Sequence, residues 1–440
     1  MTTTRICMLL SALIISATVR AIASPLRITG SSHQIVAETP EASTGLDQVL
    51  VLFDTRNCKA VYTASSASSA VTWQTFGYLG AAHAEDVPPG DITRSGREVT
   101  LNHLQSDMGY AVTENGSTYY FWVVDYSRHQ FDINAMYFPP EQNCDRTFIA
   151  TEGSAGRITY YSINGRACTL SRGIQLSYTT LVPDYDNMRY SQENVTEELQ
   201  YIESTINIAP PLFNTSFHLS GDRFLRQWGM ERDITSPMFT AESVSAIVKA
   251  EKTVHTADNE IGSDENLGGS APMEITFTAI PTDAAIFTEW QMSDGPDFED
   301  ITYSNSSPDF THTFHNMGTS YIRFMAANAS GTCEYFSETF TVNIGESRLS
   351  CPNAFSPQGS PGVNDEWKVS YKSIIRFECY IFNRWGEKMT EFHDPSQGWD
   401  GRHGGKFVPA GVYYYVIKAT GADGKEYDLS GDINIVNYKN

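Results

Sequence analysis

The 440-residue sequence predicts an all-β chain: tandem β-sandwich domains followed by a further β domain at the C-terminus. Three observations predict this. Short runs rich in Val, Ile, Tyr, Phe and Thr recur between turn-forming clusters, at 49–53, 71–76, 118–126, 158–163, 174–181, 274–280, 321–327 and 340–344; that rhythm belongs to sandwiches. Aromatic residues make up 12% of the chain, which suits strands whose inner faces pack. Only 191–204 invites a helix, with Val195, Leu199 and Ile202 at helical spacing and Ser191 or Asn194 as N-cap.

Residues 1–23 read as a secretory signal peptide. Arg5 supplies the positive n-region, 6–19 an apolar stretch too short to span a bilayer, and Ala21 and Ala23 the small residues for cleavage after Ala23. Cys7 is not preceded by the small residues of a lipoprotein box. No later run reaches roughly eighteen consecutive apolar residues, so the mature chain is expected to be soluble, without a membrane span. The formal charge of −22, from 52 acidic and 30 basic residues, argues against nucleic acid as a partner, because phosphate binding needs Lys and Arg. Six cysteines follow the signal peptide: Cys58, Cys144, Cys168, Cys333, Cys351 and Cys379. An even number in an exported chain fits disulfides, and Cys144–Cys168 and Cys333–Cys351 are the expected pairs. No C-x-x-C spacing supports a zinc ribbon or redox motif.

The first unit, 24–140, places strands at 71–73 and 119–126 facing each other across a core. This resembles immunoglobulin-like packing without the usual inter-sheet disulfide. The second, 141–240, carries the helix at 191–204, then a hairpin whose arms, 216–219 and 223–228, flank Ser220-Gly221-Asp222. Residues 241–270 supply a strand at 244–248 and an acidic Gly/Ser linker from 258. The third unit, 271–346, alternates with period two at 274–280, places Trp290 in the next strand, and closes on 338–344. That order resembles PKD-like and immunoglobulin-like domains of bacterial surface proteins.

The last unit, 350–440, has strand patterns at 367–371, 376–383, 411–420 and 426–436. Ala422-Asp423-Gly424-Lys425 marks a hairpin, since Asp-Gly suits a type I′ turn. Gly386 ends one strand in a turn, and Gly398-Trp399-Asp400-Gly401 makes a second reversal. Five blocks stand in order: Pro352-Asn353-Ala354-Phe355-Ser356-Pro357; Gly362-Val363-Asn364-Asp365; Ile381-Phe382-Asn383-Arg384-Trp385-Gly386; Trp399-Asp400-Gly401; and Pro409-Ala410-Gly411-Val412-Tyr413-Tyr414-Tyr415. Together they resemble the gliding motility-associated C-terminal domain, the type B sorting domain of the type IX secretion system of Bacteroidota. The loop 357–362 is one residue longer than the family's and lacks its aspartate. The resemblance implies a folded, non-catalytic export signal. It also implies passage through the periplasm to the cell surface or medium, with the type IX translocon and an outer-membrane accessory protein as partners. The sorting-motif residues it marks are Pro352, Asn353, Phe355, Pro357, Gly362, Val363, Asn364, Asp365, Asn383, Arg384, Trp385, Gly386, Trp399, Asp400, Gly401, Gly411, Tyr413 and Tyr414.

No metalloprotease H-E-x-x-H, nucleophile elbow, phosphate loop or dinucleotide fingerprint occurs in the sequence. No catalytic residue and no cofactor is expected. Asp294, Asp297 and Asp300, with Glu299, are calcium candidates set against a solvated acidic loop; Asp184, Asp186 and Asn187 invite the same two readings. Trp122, Trp290, Trp385 and Trp399 are read as core residues, stacking on sugars being the alternative. The function expected is a secreted or surface-displayed non-catalytic protein, structural, adhesive or ligand-binding, with a surface glycan or host protein as possible ligand. The alternatives are an enzyme whose site is assembled within 24–240, or an accessory part of the secretion or gliding machinery.

Overall fold

The computed structural model describes residues 24–262, 267–357, 359 and 362–436. The signal peptide and its cleavage site at Ala23 lie outside the described residues. The architecture is all-β apart from one short α-helix, Arg223–Gln227, and 3-10 turns. No helix among the described residues is long and apolar enough to cross a membrane, which says nothing about β-barrels.

A four-stranded sheet (Leu26–Thr29, Lys59–Thr63, Glu98–Leu101, Ile92–Ser95) faces a six-stranded one (Val36–Glu38, Gln48–Leu52, Ser117–Asp125, Met108–Glu114, Val71–Phe76, Glu85–Asp86). Leu50, Leu52, Trp73, Tyr110, Phe121 and Val123 fill the space between them. The other face of the six-stranded sheet is buried as well. Val49, Val51, Phe76, Trp122 and Val124 belong to one core with Ile149, Leu176, Phe217 and Phe224 from the following segment. A central layer covered on both faces explains why Phe121, Trp122, Val123 and Val124 are consecutive, apolar and at most 1% exposed; strands buried on both sides lose their alternation. The strands at 71–76 and 117–125 therefore do not oppose one another across a core. They share this sheet, with Met108–Glu114 between them.

Two further expectations fail in the segment after residue 137. The helix at 191–204 is instead the strand Arg189–Leu199, paired residue for residue with Ile174–Asp184. Spacing of four fits a helix turn and also two steps of a strand. Here Val195, Glu197 and Leu199 turn inward in alternation, and Tyr178 donates its hydroxyl to Glu197 at 2.8 Å. Nor do 223–228 form a hairpin arm. His218–Ser220 pairs with Asp233–Thr235, and Asp222 caps the helix Arg223–Gln227 by accepting from the Leu225 amide at 3.0 Å.

The third sandwich sets Ala246–Lys252, Met273–Pro281 and Asp309–Phe314 against a sheet centred on Gly318–Ala327, with Phe277, Trp290, Ile322, Phe324 and Val342 between them. It is tied back by a disulfide between Cys144 and Cys333, 189 residues apart in sequence. This corrects both expected pairs. Cys168 and Cys351 are free thiols, and tertiary packing rather than sequence proximity chose the bridge.

The stretch read as a linker is pinned at both ends. Gly268–Gly269 joins the third sandwich by pairing with Asn343 and Ile344. Asn259 donates to the Val369 and Pro395 carbonyls, both at 2.8 Å, and Ile261 donates to Tyr371 at 2.9 Å. The last domain is thus held against its neighbour, where Ser270 and Ser373, both fully buried, are joined by a hydrogen bond of 2.8 Å.

Candidate functional site

In the C-terminal domain, five strands lie in the order Ala354–Phe355, Glu426–Ile435, Gly411–Gly421, Ile374–Phe382, Lys388–Phe392. The hairpin at 422–425 joins the two longest. Only Gly424 there has positive φ, so the turn is not type I′, which needs two such residues; the Gly421 amide donates across the loop to the Lys425 carbonyl instead.

The motif blocks separate by burial. Phe355, Trp399 and Tyr413 lie in the core with Trp367, Phe377 and Ile417. Trp399 stands 5.5 Å from Phe355 and 5.2 Å from Tyr413 between ring centroids, and exchanges two backbone hydrogen bonds with Trp367. Pro352 and Asn353 contribute carbonyls, to Trp367 Nε1 at 2.7 Å and to the Asn434 amide at 2.9 Å. Pro357 lies against the tight turn at Gly401, φ +76°, where a Cβ would sit 3.0 Å from its ring. Asp400 accepts from the Arg402 amide at 3.0 Å. Gly362 donates its amide to Asp365 and the Asn364 carbonyl accepts from the Ser356 amide at 2.9 Å, while Val363 stays exposed. These residues build the domain, through ring packing at Phe355, Trp399 and Tyr413 and through backbone hydrogen bonds at most of the others.

The second set is on the surface. Asn383 organises its turn by accepting from the amides of Trp385 at 2.9 Å and Glu387 at 3.0 Å, while Gly386 takes φ +81°. This projects Trp385 into solvent at 75% exposure, with the Arg384 guanidinium 4.1 Å over its ring. Arg402 lies 4.1 Å over exposed Phe407 in the same way. Gly411 opens the facing strand, followed by exposed Val412. Asn383, Arg384, Trp385, Lys406, Phe407 and Val412 are among the residues lining a groove of about 440 Å³. Tyr414 is also exposed, outside that lining.

Glu387 and His403, which line this groove, are each held by another group: Glu387 accepts from Asn383 Nδ2 at 2.9 Å, and His403 Nδ1 lies 2.9 Å from the Met389 carbonyl. The free thiols of the domain, Cys351 and Cys379, are in or against its core. Burial raises both, Cys379 to about 12, which keeps them protonated and poorly nucleophilic. Elsewhere, Asp294, Asp297 and Asp300 are exposed, and among the described residues no three His, Cys, Asp or Glu side chains converge to hold a metal. Trp122 and Trp290 are buried, as expected, while Trp385 is not. The sequence held no local clue to the difference, because Trp290 and Trp399 also have a charged neighbour, Glu289 and Asp400, and are buried.

Comparison with known proteins agrees with the geometry. Residues 349–435 match the family model of the CHU_C type IX secretion signal domain, and 137–236 match that of the fibronectin type III domain, a segment the sequence reading did not place in a family. No curated protein matches the chain. Among solved structures, it is similar to a tetra-tandem repeat in the extending region of a large adhesion protein, at 9% identity over 88% of this chain and 99% of that one, TM-score 0.21. It is also similar to the fibronectin(III)-like modules of Clostridium thermocellum CbhA, at 12% identity over 43% and 95%, TM-score 0.17. A third is dimeric latent PorU from Porphyromonas gingivalis, at 10% identity over 74% and 36%, TM-score 0.16. At such TM-scores these likenesses carry no functional information. The chain ends in a type IX secretion signal domain, which directs it to the cell surface or the medium.

Proposed function

We propose that this protein is a non-catalytic structural or adhesive component of the cell exterior, carried there by its C-terminal domain and working as one stiff β-rich body. The observation that supports this reading is the continuity of its joints. The central sheet packs on both its neighbours, the disulfide Cys144–Cys333 spans the next junction, and the strap 259–261 and the Ser270–Ser373 contact hold the last one. Loosely linked binding modules move by default; welded ones transmit force and hold a surface at a fixed distance. The domain 349–435 is read folded by the type IX translocon in the periplasm, and an outer-membrane accessory protein serves as the partner at the surface.

The experiment is a pair of deletions in an exporting host, followed by protease shaving of intact cells. Removal of 350–440 strands the remainder, folded, in the periplasm; surface exposure of that truncated form would sink the export assignment. Removal of 24–346 leaves the signal domain exported but the cells without the protein's adhesive or structural contribution. Turnover of a peptide or glycan by the purified mature chain would overturn the non-catalytic assignment.

A further inference from the structure

We infer that the groove between the 383–386 turn and the 403–413 segment is the face by which the export machinery grips this domain, and that its occupant is an acidic protein segment bearing an apolar side chain. The inference rests on the export reading above and names the site it left open.

Three observations point there. The first is apolar surface without a folding role. Trp385, Phe407 and Val412 are 75%, 39% and 44% exposed along one groove. Contiguous exposed aromatics rimmed by polar groups mark interaction sites, and Trp and Arg dominate binding hot spots.

The second is charge. Arg384 and Arg402 lie over the Trp385 and Phe407 rings. Arg402 is also paired with Asp400 at 3.5 Å, but Arg384 and Lys406 have no carboxylate partner among the described residues. Glu387, the one carboxylate among the groove's lining residues, accepts from Asn383 Nδ2 at 2.9 Å and stands against two cations, Arg384 and Lys406. Residues 351–440 hold ten of the 30 basic and 11 of the 52 acidic residues, so 1–350 carries 20 against 41. An acidic partner is repelled by the cargo and meets uncommitted cations at this pole, which orients the encounter.

The third is position. Strand Ile374–Phe382 begins beside Ser373, in the junction with the third sandwich, and ends at Asn383. Strand Gly411–Gly421 runs back from the groove to Ala422, whose carbonyl accepts from the Met317 amide of that sandwich. The eight steps between the ends of this nine-residue strand, at about 3.4 Å each, put the groove roughly 27 Å from the junction. A folded cargo leaves it open.

The test uses the full chain in an exporting host. The variants are Trp385→Ala, the double charge reversal Arg384→Glu/Lys406→Glu, and Arg376→Glu, which makes the same kind of charge change near the junction. Thermal melting of each purified protein checks that it is folded. The expected result is a loss of at least about tenfold in surface-exposed protein for the first two, with folded protein accumulating in the periplasm and Arg376→Glu unaffected. Normal export of the first two, while deletion of 350–440 still blocks export, overturns this assignment and leaves the export reading standing. Export of the deleted chain overturns both. Normal crossing followed by shedding into the medium makes the groove a holder of a surface glycan, which also overturns the proposal.

Discussion

Replacing Arg172 by Met tests how the first two units are welded together. Arg172 and Asp222 are both fully buried. Asp222 Oδ2 accepts from Arg172 Nε at 2.9 Å and Nη2 at 2.6 Å and from the Tyr126 hydroxyl at 2.9 Å. Arg172 Nη1 also donates to the Gly156 carbonyl at 3.1 Å. Met fills much of the same volume but leaves the Asp222 carboxylate buried with only the Tyr126 hydroxyl and its helix cap. Breaking a buried pair in this way costs about 3–5 kcal/mol, and the orphaned Gly156 carbonyl adds about 1 kcal/mol. Asp222→Asn keeps a competent cap for Leu225 and strands the guanidinium instead. Arg172→Met/Asp222→Asn together bury no charge, so the double variant loses only hydrogen bonds, about 1–2 kcal/mol. The double substitution is therefore milder than either single one. Because a chain of several units need not unfold in one step, hydrogen exchange at Tyr126, Leu176 and Leu225 is the assay, resolving this core from the others. A loss below about 1 kcal/mol in Arg172→Met, or additive effects in the double variant, refutes the reasoning.

Other parts of the fold yield three further expectations. Glu114 accepts from the Ser65 amide at 2.8 Å and from the Ser65 and Tyr62 hydroxyls; these bonds, Ser65 foremost, lower its pKa from 4.5 to about 2 against the opposing effect of burial. A depressed carboxyl stabilises the fold above its unfolded value and loses that contribution as pH falls from about 4.5 to about 2, so Glu114→Gln shows a shallower acid-unfolding profile in that window. Cys144→Ser/Cys333→Ser opens a loop of 189 residues, worth up to about 5 kcal/mol in the chain-entropy account, and lowers the denaturation midpoint of the non-reduced protein while leaving the reduced one unchanged. Asn259→Ala removes two bonds to the C-terminal domain, about 1 kcal/mol each, and is seen as faster proteolysis within 255–262 without a shift in the melting of the sandwiches.

Strand content was legible because alternation and turn chemistry are local. What failed was whatever a partner layer decides. Val195 and Leu199 satisfy two periods at once, and pairing with Ile174–Asp184 selects one. Cys144 found Cys333 because a junction brought them together, which spacing does not encode. The sharpest case lies in the C-terminal domain, where Asn383-Arg384-Trp385-Gly386 and Gly398-Trp399-Asp400-Gly401 read alike as tight turns holding a tryptophan. Trp399 is 2% exposed because its backbone pairs with Trp367 and its ring meets Phe355 and Tyr413. Trp385 is 75% exposed because Asn383 folds the turn away from the sheet. Replacing the first opens a core cavity at about 3–5 kcal/mol, whereas replacing the second costs the fold little. If both abolish export, their melting curves separate the causes: the Trp399 variant fails because the signal no longer folds, the Trp385 variant because a folded signal is no longer gripped. In this domain Trp399 is thus the motif tryptophan whose identity the fold explains, and Trp385 the one whose identity it does not.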